Sequence, residues 1–208
     1  MPQVPVDRFV SGASTSPLGA YLDQEPWQAT RDILDILSDL IVAMEESDYR
    51  RDGGIFFHRS ARIEGGVTVK PPAIIGPGCF IAAGAYLRDG VWLQDHCIIG
   101  PGSEVKSSFL FSGSALAHFN FIGDSILGTG VNIEAGAIIA NHRNERSDKE
   151  VRVHYRDAVI RTGVEKFGAL VGDHARIGAN AVIAPGALLD PGQVVGRLTL
   201  LDQDPVPK

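Results

Sequence analysis

The sequence predicts an all-β domain, a parallel β-helix wound from hexads, with an amphipathic helix in front of it. Three observations point there. Read from residue 55, the third place of successive hexads is apolar throughout: Phe57, Ile63, Val69, Ile75, Ile81, Leu87, Leu93, Ile99, Val105, Phe111 and Ala117. Glycine, proline and aspartate gather in the last three places, as in GPG at 76–78 and 100–102. Ahead of the repeat, apolar residues recur at three- and four-residue spacing instead. A period of six fits neither a helix nor a simple alternating strand, so each hexad reads as one short strand and a corner. Three hexads close a triangular coil around a continuous apolar core, and residues 18 apart in sequence then stack about 4.8 Å apart along its axis.

Taken in order, residues 1–24 show no basic-then-apolar leader pattern. In EPWQATRDILDILSDLIVAMEES (25–47), Trp27, Ile33, Leu34, Leu37, Leu40, Ile41 and Met44 share one helical face, and Pro26 suits a first turn. This helix is expected to cap or pack the solenoid, or to dock another subunit. The β-helix is assigned to 55–196. Its beat falters at ALAHFNFIGD (115–124), where Ala117 to Ile122 and Ile122 to Leu127 are steps of five. It resumes through Leu127, Ile133 and Ile139, and again through Val171, Ile177, Ile183, Leu189 and Val195. Between these runs, 141–166 is charged and out of phase, a long excursion of the kind that is functional or disordered. The tail, 197–208, is expected to fray. Cys79 and Cys97 open hexads 18 apart and should stack, but stacked parallel side chains are poorly oriented for a disulfide. Without a CxxC spacing they read as free thiols of a reducing compartment.

A length of 208 residues suits one main domain, and a net charge of −6 offers no general attraction to nucleic acid or anionic lipid. No apolar run approaches the roughly 18 residues of a membrane span. The expectation is a cytoplasmic protein that meets neither nucleic acid nor membrane, and any anionic ligand must be met by a local cluster of Lys and Arg.

The hexads resemble those of the hexapeptide-repeat acyltransferases, which implies a left-handed coil where the general crossover rule would give the right hand. The segment SEVKSSFLFSGSALAHFNFIGDSILGTGVNIEAGAIIANHRNE narrows the resemblance. It is similar to the β-helix acetyltransferase half of bifunctional glucosamine-1-phosphate acetyltransferase/uridylyltransferases, and more so to archaeal and bacterial sugar-1-phosphate nucleotidylyltransferases with a similar activity. Nothing in the first 54 residues resembles the glycine-rich loop of the nucleotidyltransferase half, so the chain is not expected to make sugar nucleotides.

The resemblance implies an acetyl-CoA-dependent N-acetyltransferase acting on an amino-sugar phosphate, with acetyl-CoA as co-substrate and a homotrimer as the assembly. His118 matches the catalytic histidine, a group that titrates near neutral pH and suits a general base. Arg88 and Lys106 match residues that meet the acceptor phosphate, and the repeat adds its own argument. Both hold fourth places, 18 residues apart, so they should stack on one corner within reach of a single anion. Lys166 matches another phosphate contact, Asn132 an acceptor-binding amide, and Asn141 a residue that meets the acetyl-CoA arm. Gly123 and Asp124 are read as shaping a turn. Phe121 stands where the family commonly has tyrosine, which leaves the acceptor's identity open. His118, 12 residues after Lys106, should sit on a different corner, and the family's trimers build sites between neighbouring coils. Two other readings stand beside this one. The first is a non-catalytic trimeric module that binds a sugar phosphate or nucleotide, or partners a separate nucleotidyltransferase. The second is a zinc lyase like the γ-class carbonic anhydrases, which needs two histidines five residues apart. His58, His96, His118, His142, His154 and His174 include no such pair.

Overall fold

Two-residue strands cannot hold together locally, so each is stabilised by the coils above and below it. The computed structural model describes residues 3–44 and 47–205, and in it the repeat winds into the parallel β-helix that the hexads predict, with the left hand that the resemblance implies. The first face is a seven-stranded sheet that stacks the strands at 62–63, 80–81, 98–99, 115–116, 132–133, 176–177 and 194–195. The second face runs from Thr68–Val69 to Leu200–Leu201, and the third from Ile55–His58 to Ala187–Leu189. Tyr86–Leu93 and Glu104–Leu110 continue round the corner between these two faces, which joins them into one 13-stranded sheet.

The core is the inward column of every face. Ile75, Ile81, Leu87, Leu93, Ile99, Val105, Leu110, Leu116, Ile122, Leu127, Ile133 and Ile139 are all at most 1% exposed. This corrects the hexad phase after Val105: Leu110 and Leu116 point inward, not Phe111 and Ala117. The two shortened steps are therefore Val105 to Leu110 and Ile122 to Leu127, so the first lies earlier than the sequence placed it. Phe111 is buried on the outer side instead, its ring edge-on to Trp92 at 5.3 Å between centroids. At the start of the coil Ile63 is 38% exposed, because no earlier coil covers it.

The helix of 25–47 is two helices, α1 (Pro26–Arg31) and α2 (Ile33–Ala43), interrupted at Asp32. Met44 is already extended, and Glu45 and Glu46 lie outside the described residues. The pair does not cap an open end; it packs along the third face. There the outward residues Ile74, Trp92, Phe109, Ile126, Leu170 and Leu188 are apolar and buried. The N-terminal segment completes this second core with Val4, Val6, Phe9, Val10 and Leu18, a contribution without any periodic signal in the sequence. The excursion is ordered: Arg152–Tyr155 and Ala158–Arg161 form an antiparallel hairpin that adds Val153, Tyr155 and Ile160 to the same layer. The tail is anchored as far as 205. Asp202 accepts two hydrogen bonds from the buried Arg143 guanidinium, and Asp204 pairs with Arg146. Val206–Lys208 lie outside the described residues. Among the described residues no helix is long and apolar enough to cross a membrane.

Candidate active site

The corner between the first and second faces needs a left-handed residue in every coil. Gly66, Gly84, Gly102, Phe119, Gly136, Asn180 and Leu198 fill it, all with positive φ. Phe119, at φ +52°, is costly there: a bulky residue in this region is strained by about 1 kcal/mol or more. Its ring is 72% exposed and lies over Gly102, where an added Cβ would come within 2.6 Å of it. His118 precedes it on the same corner, exposed, and its imidazole makes no hydrogen bond or ion pair among the described residues. The loop beneath is fixed. Buried Asn120 donates to the carbonyls of Glu134 (2.7 Å) and Ala137 (3.2 Å), and the Gly136 N–H donates to the carbonyl of His118 at 2.8 Å.

Arg88 and Lys106 stack as the repeat implies, in register on adjacent coils at the corner between the second and third faces. They are not bare cations. Arg88 donates through Nε to Glu104 at 2.7 Å and through Nη1 to Asp89 Oδ2 at 2.7 Å. Burial works against its charge, but these carboxylates prevail and hold its pKa above the usual guanidinium value. Lys106 is 8% exposed, and its ammonium lies 3.0 Å from Asp124 Oδ2 and 4.0 Å from Asp89 Oδ2. Asp124 therefore does more than shape a turn. It neutralises Lys106, accepts from the Asn141 amide, and its carbonyl accepts from Gly168 N–H at 2.9 Å, which closes the mouth of the excursion. Asn141 is thereby turned into this network.

A cavity of about 560 Å³ opens at this corner, lined by Asp89, Lys106, Asp124 and Lys166 with Arg31 and Leu34 of the N-terminal helices. It brings together two of the three predicted phosphate contacts. Phe121 is half-buried on the second face, where its ring runs beside Gly123. Asn132 is exposed on the first face, in register with Arg176 one coil on, and both line a groove of about 430 Å³. His118 is thus one strand away from the Lys106 corner, as its spacing implies, and Asn132 lies on a different face again. A larger cavity of about 630 Å³, beside Met44, Trp92 and His96, contains none of these residues. Asp89, Asp124 and Arg176 were not legible as site residues: only a three-dimensional register shows an acid wedged between two cations, or an arginine 44 positions from its neighbour.

Residues 72–107 match the family model described as bacterial transferase hexapeptide (six repeats). Residues 72–107 thus carry the hexapeptide repeat that this model describes. The chain is 41% identical over 105 residues to a bifunctional sugar-1-phosphate nucleotidylyltransferase/acetyltransferase of Sulfurisphaera tokodaii, a match covering 48% of this chain and 26% of that protein. It is 33% identical over 106 residues to the bifunctional protein GlmU of Methanococcus vannielii, covering 51% of this chain and 25% of that one. The aligned part is thus about a quarter of these relatives' length. Among solved structures it is similar to an Arabidopsis UDP-N-acetylglucosamine acyltransferase, at 17% identity and a TM-score of 0.39 over 68% of this chain and 57% of that one.

Proposed function

We propose that this hexapeptide chain is an acetyl-CoA-dependent N-acetyltransferase whose acceptor is an amino-sugar phosphate of the glucosamine-1-phosphate type. The observation that carries the reading is His118: an exposed imidazole, free of partners among the described residues, on a corner braced by Asn120. The 41% identity with an acetyltransferase-containing relative over half of the chain supports the reaction class. In this reading His118 takes the proton of the acceptor amine as the new N–C bond forms and the C–S bond of the thioester breaks. Lys106 and Lys166 hold the acceptor's phosphate in their shared cavity, with Arg88 beside them, Phe121 lies along the sugar, and Asn132 reaches it from a neighbouring subunit. Asn141 is the residue assigned to the acetyl-CoA arm. The experiment is acetyl-CoA with a panel of amino-sugar phosphates, read as released thiol. His118→Ala should lower the rate at least about 100-fold, the span of a lost general base, without changing the unfolding midpoint. Turnover that survives the substitution removes His118 from the mechanism.

The second reading is a binding module that trimerises and partners a separate nucleotidyltransferase. The observation behind it is Phe121, half-buried on the second face, where the family commonly has a tyrosine. Retained sugar-phosphate binding without any acetyl-CoA affinity would decide for it.

A further inference from the structure

The cation column carries a counter-ion of its own. Arg88 and Lys106 face three carboxylates, Glu104, Asp89 and Asp124, so within this cluster of five two positive charges meet three negative ones. The three acids are not equivalent. Asp124 is 8% exposed in its side chain and fixed by Lys106 and Asn141, and Glu104 lies along the second face. The Asp89 side chain is 52% exposed, and a single oxygen, Oδ2, reaches both cations, at 2.7 Å from Arg88 and 4.0 Å from Lys106. It does so from a left-handed backbone, φ +56°, held by the Ser107 hydroxyl, which donates to its carbonyl at 2.9 Å. It also lines the cavity that contains Lys106 and Lys166.

Asp89 occupies the position in which an external anion would bridge the same two cations. The structure assigns Asp89 as a built-in competitor of the acceptor's phosphate, a specificity residue that must swing out before Arg88 and Lys106 can bind a phosphate. This rests on the proposed acceptor class. An exposed ion pair is weak, so the swing is cheap, and a phosphate dianion with charge-assisted hydrogen bonds can displace it. A monoanion such as a carboxylate gains less from the same exchange, so the residue selects for the more highly charged acceptor.

The test is the affinity of the full chain for inorganic phosphate by calorimetry, with the KM for glucosamine-1-phosphate alongside. Asp89→Asn keeps the size and tolerates a positive φ, so its fold should hold. It removes both the competing bond and a negative charge beside the bound dianion, and is expected to tighten phosphate binding about tenfold and to lower KM in proportion. Asp157→Asn, an exposed acid on the hairpin turn, makes the same change in net charge at a distance and should leave both values alone. Equal or weaker binding by Asp89→Asn, or equal tightening by Asp157→Asn, overturns the competitor role while leaving the proposed acceptor standing. If neither the native chain nor Asp89→Asn binds phosphate while His118-dependent thiol release persists, the competitor role fails and the acetyltransferase reading stands. If thiol release is absent as well, the acetyltransferase reading fails with it.

Discussion

At the scale of single residues, the coil is governed by how closely one backbone passes another. At Gly100 a Cβ would lie 1.6 Å from the carbonyl oxygen of Ala117, the residue before His118. Neither atom can rotate away, so Gly100→Ala should cost about 3 kcal/mol or more, read as a lower urea midpoint. Gly65→Ala, where nothing lies within 4 Å, is the matched control and should stay within about 0.5 kcal/mol. Equal midpoints for the two variants would show that the corner relaxes freely. The stacking of Arg88 on Lys106 was legible in the sequence because a period of 18 is a statement about neighbours. Their neutralisation was not. Asp89 follows Arg88 directly and reads as a turn residue; Asp124 lies 18 residues after Lys106, but the coil between them is one residue short, so Gly123 takes the in-register place and Asp124 meets the ammonium from one position further on.

At the scale of elements, the hexads fixed the coil and its faces, but the phase slipped where Phe109, Leu110 and Phe111 are all buried. An outward face covered by helices is as apolar as the core, so the pattern alone does not say which of three apolar residues points in. For the same reason residues 3–22 were read only as a segment, although they complete the layer over the third face. The tail is a second element that composition misread. Arg143 is 2% exposed and bonded to Asp202 Oδ1 (2.8 Å), Asp202 Oδ2 (3.0 Å) and the Pro185 carbonyl (2.8 Å). Burial works against the Asp202 carboxylate, but the Arg143 hydrogen bonds outweigh it and hold the group below the ordinary carboxylate value; Arg146 does the same for Asp204. A carboxyl depressed in the folded state stabilises it above the unfolded value near 3.9, and that contribution is lost as pH falls through the folded value. The tail amides should therefore lose hydrogen-exchange protection below about pH 4 ahead of the coil. Asp202→Asn should destabilise by about 3 kcal/mol at neutral pH, because it leaves the buried guanidinium with only the longer contact to the exposed Glu145, at 3.4 Å. Tail protection that does not change with pH, or an Asp202→Asn variant as stable as the native chain, would make the pairs incidental.

At the scale of the whole molecule, one of three faces is spoken for. The third is sealed by α1, α2, the N-terminal segment and the hairpin, while the first and second carry exposed apolar side chains along their strands and shared corner. Ile98 is 44% exposed, Phe119 72%, Val194 69%, Leu198 79% and Leu200 66%, five large apolar side chains on the two uncovered faces and their shared corner. The first and second faces are the ones left uncovered, and a closed three-fold ring lets every copy use both. The same closure would bring His118 on one chain's corner toward the Lys106 and Lys166 cavity of the next, which a single chain keeps a strand apart. Sedimentation equilibrium at micromolar concentration should give three times the 22.2 kDa chain mass. Leu198→Asp should shift the mass toward one chain and remove acetyl transfer with it. Leu34→Asp, an equal change at a half-exposed position of α2, should leave the mass at three chains. A single-chain mass for the native protein, with His118-dependent turnover intact, would mean that one chain closes the distance alone.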